Sequence, residues 1–224
     1  MNISRLLLTI VGFLVVVYIL SYVFNGKKTL SNFASATTEL VVPPTSLPSG
    51  TTVNFTYSIW IYVDDWTYRY GQEKIIFSRG PAAGLLALSL APTENDLQVT
   101  MAVTDDQPFD TVVPNIPIQK WTNLIVSLNT RTVDIYVNGT LVRTSVLPGM
   151  PKLDPTADLN LTPRGGFSGY TSRFNYWSDT INPQEAWNIY KSGPGGNMFS
   201  SFFNQYKIQF NFLKGDNVQA SLTI

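Results

Sequence analysis

The chain has 224 residues, 15 of them basic and 15 acidic, so its formal charge at pH 7 is zero, and the dispersed Lys and Arg form no basic stripe for nucleic acid. It contains no histidine and no cysteine, which excludes a Ser-His-Asp relay, imidazole or thiolate metal ligands, a cysteine nucleophile and a disulfide framework. Aromatic residues make up 13% of the chain, and Val, Ile and Thr are frequent, a composition that favours strands.

Residues 6–24, LLLTIVGFLVVVYILSYVF, run without a charge. As a helix this stretch would measure roughly 28 Å, close to the thickness of a bilayer's hydrocarbon core. Arg5 precedes it, Lys27 and Lys28 follow it, and Tyr18 and Tyr22 suit an interfacial belt. Residues 1–28 are therefore expected to form an N-terminal transmembrane anchor, with the lipid bilayer as partner and a single-pass membrane location. A cleaved signal peptide is the alternative, with Ala34-Ser35-Ala36 as its processing site. Against it, the apolar run exceeds the usual core of about 7–15 residues, and two lysines intervene. Basic residues flank both ends, so the side on which the rest of the chain lies stays open.

Residues 29–52 contain Pro43, Pro44 and Pro48 among serines and threonines and read as a spacer. From residue 53 the period becomes two. VNFTYSIWIYV places Val53, Phe55, Tyr57, Ile59, Ile61 and Val63 on one face. Further runs follow at 74–80, 84–92, 96–104 and 121–129. Residues 133–144, VDIYVNGTLVRT, set two alternating runs around Asn138-Gly139, the pair that favours a two-residue hairpin turn. Runs at 158–163 and 169–178 complete a series that predicts an all-β sandwich or barrel. One short helix is expected, with Asn182 as N-cap, Pro183 at its first position, Glu185 completing a capping box and Gly193-Pro194 as the stop. The domain is placed at 53–196. Residues 197–224 form an extension with a late strand around Ile208, Phe210 and Phe212, expected to pack on the domain.

In order, YSIWIYV, IIFSRG, WTNLIVSLNTRTVDIYVNGTLVRT and FNYWSDTINPQEAWNIYKSGPG resemble the concanavalin A-like jelly roll in its laminin G-like or pentraxin-like branch. The resemblance implies two curved sheets of about a dozen strands. The arrangement of anchor, spacer, jelly roll and extension is similar to that of virion proteins of large double-stranded DNA viruses. That similarity implies a minor capsid or virion membrane component, held at the interface of inner membrane and capsid, with structural proteins such as capsid proteins as partners. The same fold hosts lectins, so a membrane-tethered glycan-binding protein is the alternative, and glucanases, so a glycoside hydrolase is the third reading. The glucanase Glu-x-Asp-x-x-Glu pattern is absent, so no catalytic residue is expected and the chain reads as a non-enzyme.

Relatives with this fold often bind calcium at the rim, and calcium takes about six to eight oxygen ligands. The candidate ligands are Asp64, Asp65, Asp105 and Asp106, each pair at a strand end, where acidic residues also serve as turn formers. No other cofactor is indicated. In DDWTYRYG, Trp66, Tyr68 and Tyr70 would stack a sugar if the stretch is a loop, or share one buried face if it is a strand. Asn54, Asn138 and Asn160 fit the N-glycosylation triplet, with Asn138 in a turn and Asn54 in a strand; they matter only if the domain is lumenal.

Overall fold

A computed structural model of the chain describes residues 11–16, 27–47, 53–80, 85–104 and 108–195, and the backbone of 209–214 and 217–223. Two antiparallel sheets form the sandwich. The larger has the order β1 (Lys27–Ser31), β13 (Ser168–Trp177), β4 (Phe55–Asp65), β9 (Thr122–Asn129), β10 (Thr132–Val137) and β11 (Thr140–Val146), with β2 (Ala34–Ser35) also pairing with β13. The smaller runs β3 (Leu40–Val42), β12 (Leu159–Leu161), β5 (Lys74–Arg79), β6 (Leu86–Leu90), β7 (Leu97–Met101) and β8 (Phe109–Val113). A helix, α1 (Pro183–Lys191), follows β13, and β14 (Gln209–Lys214) pairs with β15 (Asn217–Thr223) as a separate hairpin.

Alternation decides the core. Phe55, Tyr57, Ile59, Ile61 and Val63 of β4 point inward beside Leu124, Val126 and Leu128 of β9. They meet Phe77 of β5 and the inward residues of β6 and β7. Tyr57 sits at the centre, its ring 5.1 Å from Phe77, 5.0 Å from Tyr176 and 6.0 Å from Phe174. Burial pushes the Tyr57 phenol far above its ordinary pKa, against the pull of Arg79, whose Nη1 donates to the phenol oxygen at 3.4 Å.

The expected spacer is instead part of the sandwich. Within residues 29–52, β1 continues its pairing with β13, β2 adds to the same strand, and β3 pairs with β12 through Leu40↔Leu161 and Val42↔Leu159. Strands this short, broken by turns and followed by Pro43 and Pro44, leave almost no period to read. Ala36 is fully buried and Val42 nearly so, so this stretch closes one side of both sheets. The packed domain therefore begins at Lys27, with only Asn25 and Gly26 between it and the expected span. Of that span, residues 11–16 are helical and Val11, Phe13, Leu14, Val15 and Val16 are exposed; the rest of 6–24 lies outside the described residues. Among the described residues no helix is long and apolar enough to cross a membrane. The late strand appears as β14, while β8 and β15 were not anticipated.

Asn138 (φ 52°) and Gly139 (φ 75°) form the expected tight turn between β10 and β11. The expected capping box is also present: Asn182 Oδ1 accepts from Glu185 N at 2.9 Å, and Glu185 Oε2 accepts from Asn182 N at 2.7 Å. Helix α1 lies on the outer face of the larger sheet. Ala186 packs against Ile125 and Tyr136, and Tyr190 stacks on Trp60 at 5.6 Å. It also covers the hairpin turn, since a Cβ on Gly139 would meet Tyr190 Cβ at 2.9 Å and Trp187 Cα at 3.1 Å. Gly139→Ala should therefore combine backbone strain with overpacking and cost about 2 kcal/mol or more, against about 1 kcal/mol for Asn182→Ala, both read from urea unfolding at unchanged slope.

Candidate functional site

The outer face of β4 carries Thr56, Ser58, Trp60 and Tyr62, alternating with the core residues. Thr56 and Ser58 are buried and bonded within the sheet: Thr56 Oγ1 lies 2.9 Å from Ser127 Oγ, and Asn123 Nδ2 donates to Ser58 Oγ at 3.2 Å. Trp60 is covered by α1. Beyond the helix this face stays open and turns aromatic. Tyr62 pairs across the strands with Tyr170, and Trp121 immediately precedes Thr122, the partner of Ile61. Phe33, between β1 and β2, completes the group. Ring centres are 5.2 Å apart for Phe33–Tyr170, 6.4 Å for Phe33–Trp121 and 5.7 Å for Tyr62–Trp121. Tyr170 is 43% exposed; Phe33, Tyr62 and Trp121 are half-buried. Ser35 lies opposite Tyr170 in the ladder, and its hydroxyl shares a 2.9 Å hydrogen bond with Thr37.

This patch lies far from the start of the domain. Lys27 pairs with Trp177 at one end of β13, whereas Tyr170 is seven residues back along the strand, roughly 23 Å away. Near Lys27 a cleft of about 680 Å³ opens between the end of β13 and α1, lined by Trp177, Asp179, Glu185, Asn188 and Ser192 among others. Burial, with Arg173 nearby, lowers the Lys27 pKa.

The residues anticipated from sequence have other tasks. Asp65 closes a turn: Oδ1 accepts from Thr67 N at 2.8 Å and Thr67 Oγ1 at 2.7 Å, and these bonds lower its pKa. Asp64 is exposed at the end of β4, and its backbone carbonyl accepts from Gln119 Nε2 at 3.2 Å. Asp105 and Asp106 lie outside the described residues. Among the described residues no group of three or more carboxylates gathers as a metal site. Trp66, Tyr68 and Tyr70 do lie in a turn rather than a strand. Trp66 packs on the core edge, with the Lys74 ammonium 4.5 Å from its ring centre. The Tyr68 hydroxyl donates to the Gly165 carbonyl at 3.1 Å, and Tyr70 is 63% exposed.

The glycosylation triplets sit as follows. Asn54 precedes β4 rather than lying in it, and its Oδ1 accepts from Thr130 N at 2.9 Å. Asn138 is half-buried beside α1, not open as its turn position suggests, and its Oδ1 accepts from Asn123 N at 2.9 Å. Asn160 lies in β12 between β3 and β5, and Thr162 of its triplet is buried.

Phe33, Tyr62, Trp121 and Tyr170 were not singled out as a site. One signal was available: Trp60 and Tyr62 occupy the off-phase positions of β4, where a half-solvated strand carries polar residues. Two aromatics there mark a covered or functional outer face.

The model of the concanavalin A-like lectin/glucanases superfamily, in its Laminin_G_3 form, matches residues 34–186. The chain belongs to this superfamily. The match takes in β2 and β3, in keeping with their place in the sandwich. No curated protein matches the sequence. Among solved structures, the receptor-binding domain of botulinum neurotoxin C/D mosaic serotype is similar at TM-score 0.60 and 13% identity, covering 74% of this chain and 43% of that one. The botulinum neurotoxin serotype D ligand-binding domain, in complex with N-acetylneuraminic acid, gives 0.59 and 14%, covering 74% and 43%. The neurotoxin DC binding domain, in complex with rat synaptotagmin II, gives 0.56 and 13%, covering 72% and 42%. This chain spans less than half of each, and the likeness establishes the fold.

Lys74 generates a test. Its side chain is fully covered, Nζ donates to the Pro92 carbonyl at 3.3 Å, and burial, with Arg69 nearby, lowers its pKa. Lys74→Met should leave the unfolding midpoint unchanged or raised, because it fills the same space without a buried charge. Between the lowered folded-state pKa and the ordinary lysine value of about 10.4, the unfolded chain holds the extra proton. Wild type should therefore gain stability relative to the Met variant as pH rises through that window, as paired urea titrations would show.

Proposed function

We propose that this chain is a membrane-tethered, non-enzymatic binding domain. Residues 6–24 hold it to a bilayer, and the far end of the sandwich meets a partner. The observation that carries the reading is the open aromatic patch of Phe33, Tyr62, Trp121 and Tyr170, roughly 23 Å along β13 from the point where the domain begins. With two residues between span and sandwich, the Lys27 end faces the bilayer and the patch faces away from it. Aromatic residues concentrate binding energy when a partner excludes water around them. The setting that fits is a minor capsid or virion membrane component of a large double-stranded DNA virus, linking an inner membrane to a protein shell. The similarity of the whole architecture to such proteins supports that placement.

The patch chemistry also favours a second reading, a tethered lectin, because partly exposed rings with hydroxyl tips suit the apolar faces of sugars. The serotype D toxin domain, which resembles this chain over less than half of its length, is solved in complex with N-acetylneuraminic acid, and the DC domain in complex with synaptotagmin II.

The tether is tested by flotation. Full-length protein should rise with lipid vesicles through a density gradient, and a chain lacking residues 1–26 should stay at the bottom; equal behaviour would remove the membrane from the proposal. For the patch, vesicles bearing the full chain are offered shell proteins and a broad glycan panel, with and without calcium. Tyr170→Ala should weaken whichever contact is found by about tenfold or more at an unchanged unfolding midpoint. Retention of shell proteins supports the linking role, retention of glycans supports the lectin, and binding indifferent to Tyr170→Ala would place recognition elsewhere.

A further inference from the structure

The smaller sheet has an outer face of its own. Its register sets Val41, Asn160, Ser78 and Ala87 side by side, one each from β3, β12, β5 and β6. Leu161, Phe77 and Leu88, next along three of these strands, pack in the core, so the row faces away from it. Within this row Ser78 is only 3% exposed, yet its hydroxyl has no hydrogen-bond partner among the described residues. Buried polar side chains are normally bonded. Ser78 instead lines a pocket of about 230 Å³, together with Glu39, Ile75, Asn160, Pro163 and Arg164. Ile75 and Pro163 are buried beside it, Asn160 is half-buried, and Glu39 and Arg164 are exposed, so the neutral groups form the floor and the two charges form the rim.

Arg164 reaches that rim from an uncommon turn. Thr162 (φ 49°) and Arg164 (φ 56°) are both left-handed, which few residues other than Gly, Asn and Asp adopt. Bonds from elsewhere in the fold hold the turn. Thr162 Oγ1 donates to the Thr38 carbonyl at 2.8 Å, the Tyr68 hydroxyl to the Gly165 carbonyl at 3.1 Å, and Arg69 Nη1 to the Arg164 carbonyl. None of these bonds uses the Arg164 guanidinium. Among the described residues it has no partner, and neither has the Glu39 carboxylate or the Asn160 amide. The two charges line one pocket without pairing with each other. Strained backbone fixed by its surroundings is found where a side chain must be presented.

We propose that this pocket binds a small zwitterion of the α-amino acid class. Arg164 meets the ligand's carboxylate with its planar fork of donors, and Glu39 meets the ammonium group. Ser78 and Asn160 supply neutral donors and acceptors beneath them, and Ile75 and Pro163 face a short side chain. The size agrees, since drug-sized ligands need pockets of roughly 300 Å³ or more. The lining carries both signs of charge and no aromatic ring, which favours a charged ligand over a stacked neutral sugar. Exposed single charges gain little in water, so selectivity rests on holding both ends of one molecule at once. The site lies on the other sheet from the aromatic patch and depends on neither the patch nor the tether.

Full-length protein in detergent is titrated with each of the twenty standard amino acids, followed by the amide chemical shifts of Ser78 and Asn160. Acetate, ethylamine and glucose serve as probes with one charge, the other charge and none. A small subset of amino acids should bind with Kd of about 1 mM or tighter, and the three probes at least about tenfold more weakly. Glu39→Gln and Arg164→Gln should each weaken binding by about tenfold or more at an unchanged unfolding midpoint, because neither side chain bonds to the protein. Binding of none of the twenty would overturn the proposal. So would acetate, ethylamine or glucose binding as tightly as the best amino acid, or an affinity that both substitutions leave unchanged.

Discussion

Burial of Tyr57 between the two sheets sets the arrangement of everything outside them. Its ring lies within contact of Phe77, Phe174 and Tyr176, so the middle of β4 is held against both β13 and the second sheet. A strand has a side-chain period of two, and a slip by one residue would turn the whole set outward. With Tyr57, Ile59 and Ile61 fixed inside, Ser58, Trp60 and Tyr62 have no choice but the outer face. The aromatic patch and the seat of α1 are consequences of that single constraint.

The outer face then divides by what covers it. Toward the Lys27 end it is lined with small polar side chains bonded in pairs, Thr56 with Ser127 and Ser58 with Asn123 Nδ2, beneath the segment that carries α1, while Asn123 Oδ1 and Trp60 Nε1 are buried without a partner. Bonding of this kind offsets most of the cost of burying such polar groups. Trp60 marks the boundary, stacked under Tyr190. Past it, among the described residues, Tyr62 and Tyr170 are met by the rings of Trp121 and Phe33 rather than by a helix. The domain thus has a half toward Lys27 covered by α1 and, among the described residues, a more open half at the other end of β13.

The two sides of the sandwich are equally unlike. Residues 27–42 run through both sheets, with β1 outside β13 and β3 outside β12. The other side of the larger sheet ends in β11, which carries a bulge at Val142 and whose Arg143 reaches toward the neighbouring sheet.

By itself the sequence determined the elements whose causes are local or strictly periodic. The alternation of 53–63 named the buried face of β4, Asn138-Gly139 specified the turn because only such residues take positive φ cheaply, and Asn182-Pro183-Glu185 specified the start of α1 through bonds spanning three residues. It also carried enough ordered motif to indicate the superfamily. Tertiary structure alone decided what depends on distant partners. Short β1, β2 and β3 exist because β13 and β12 offer them edges. Asn138 is half-buried because α1 folds back across its turn, and Trp66 is engaged because Lys74 lies over it. Phe33, Tyr62, Trp121 and Tyr170 meet because strands remote in sequence are neighbours in the sheet. Spacing along a chain encodes the period of a strand, but the identity of the strand beside it is settled only when the core closes.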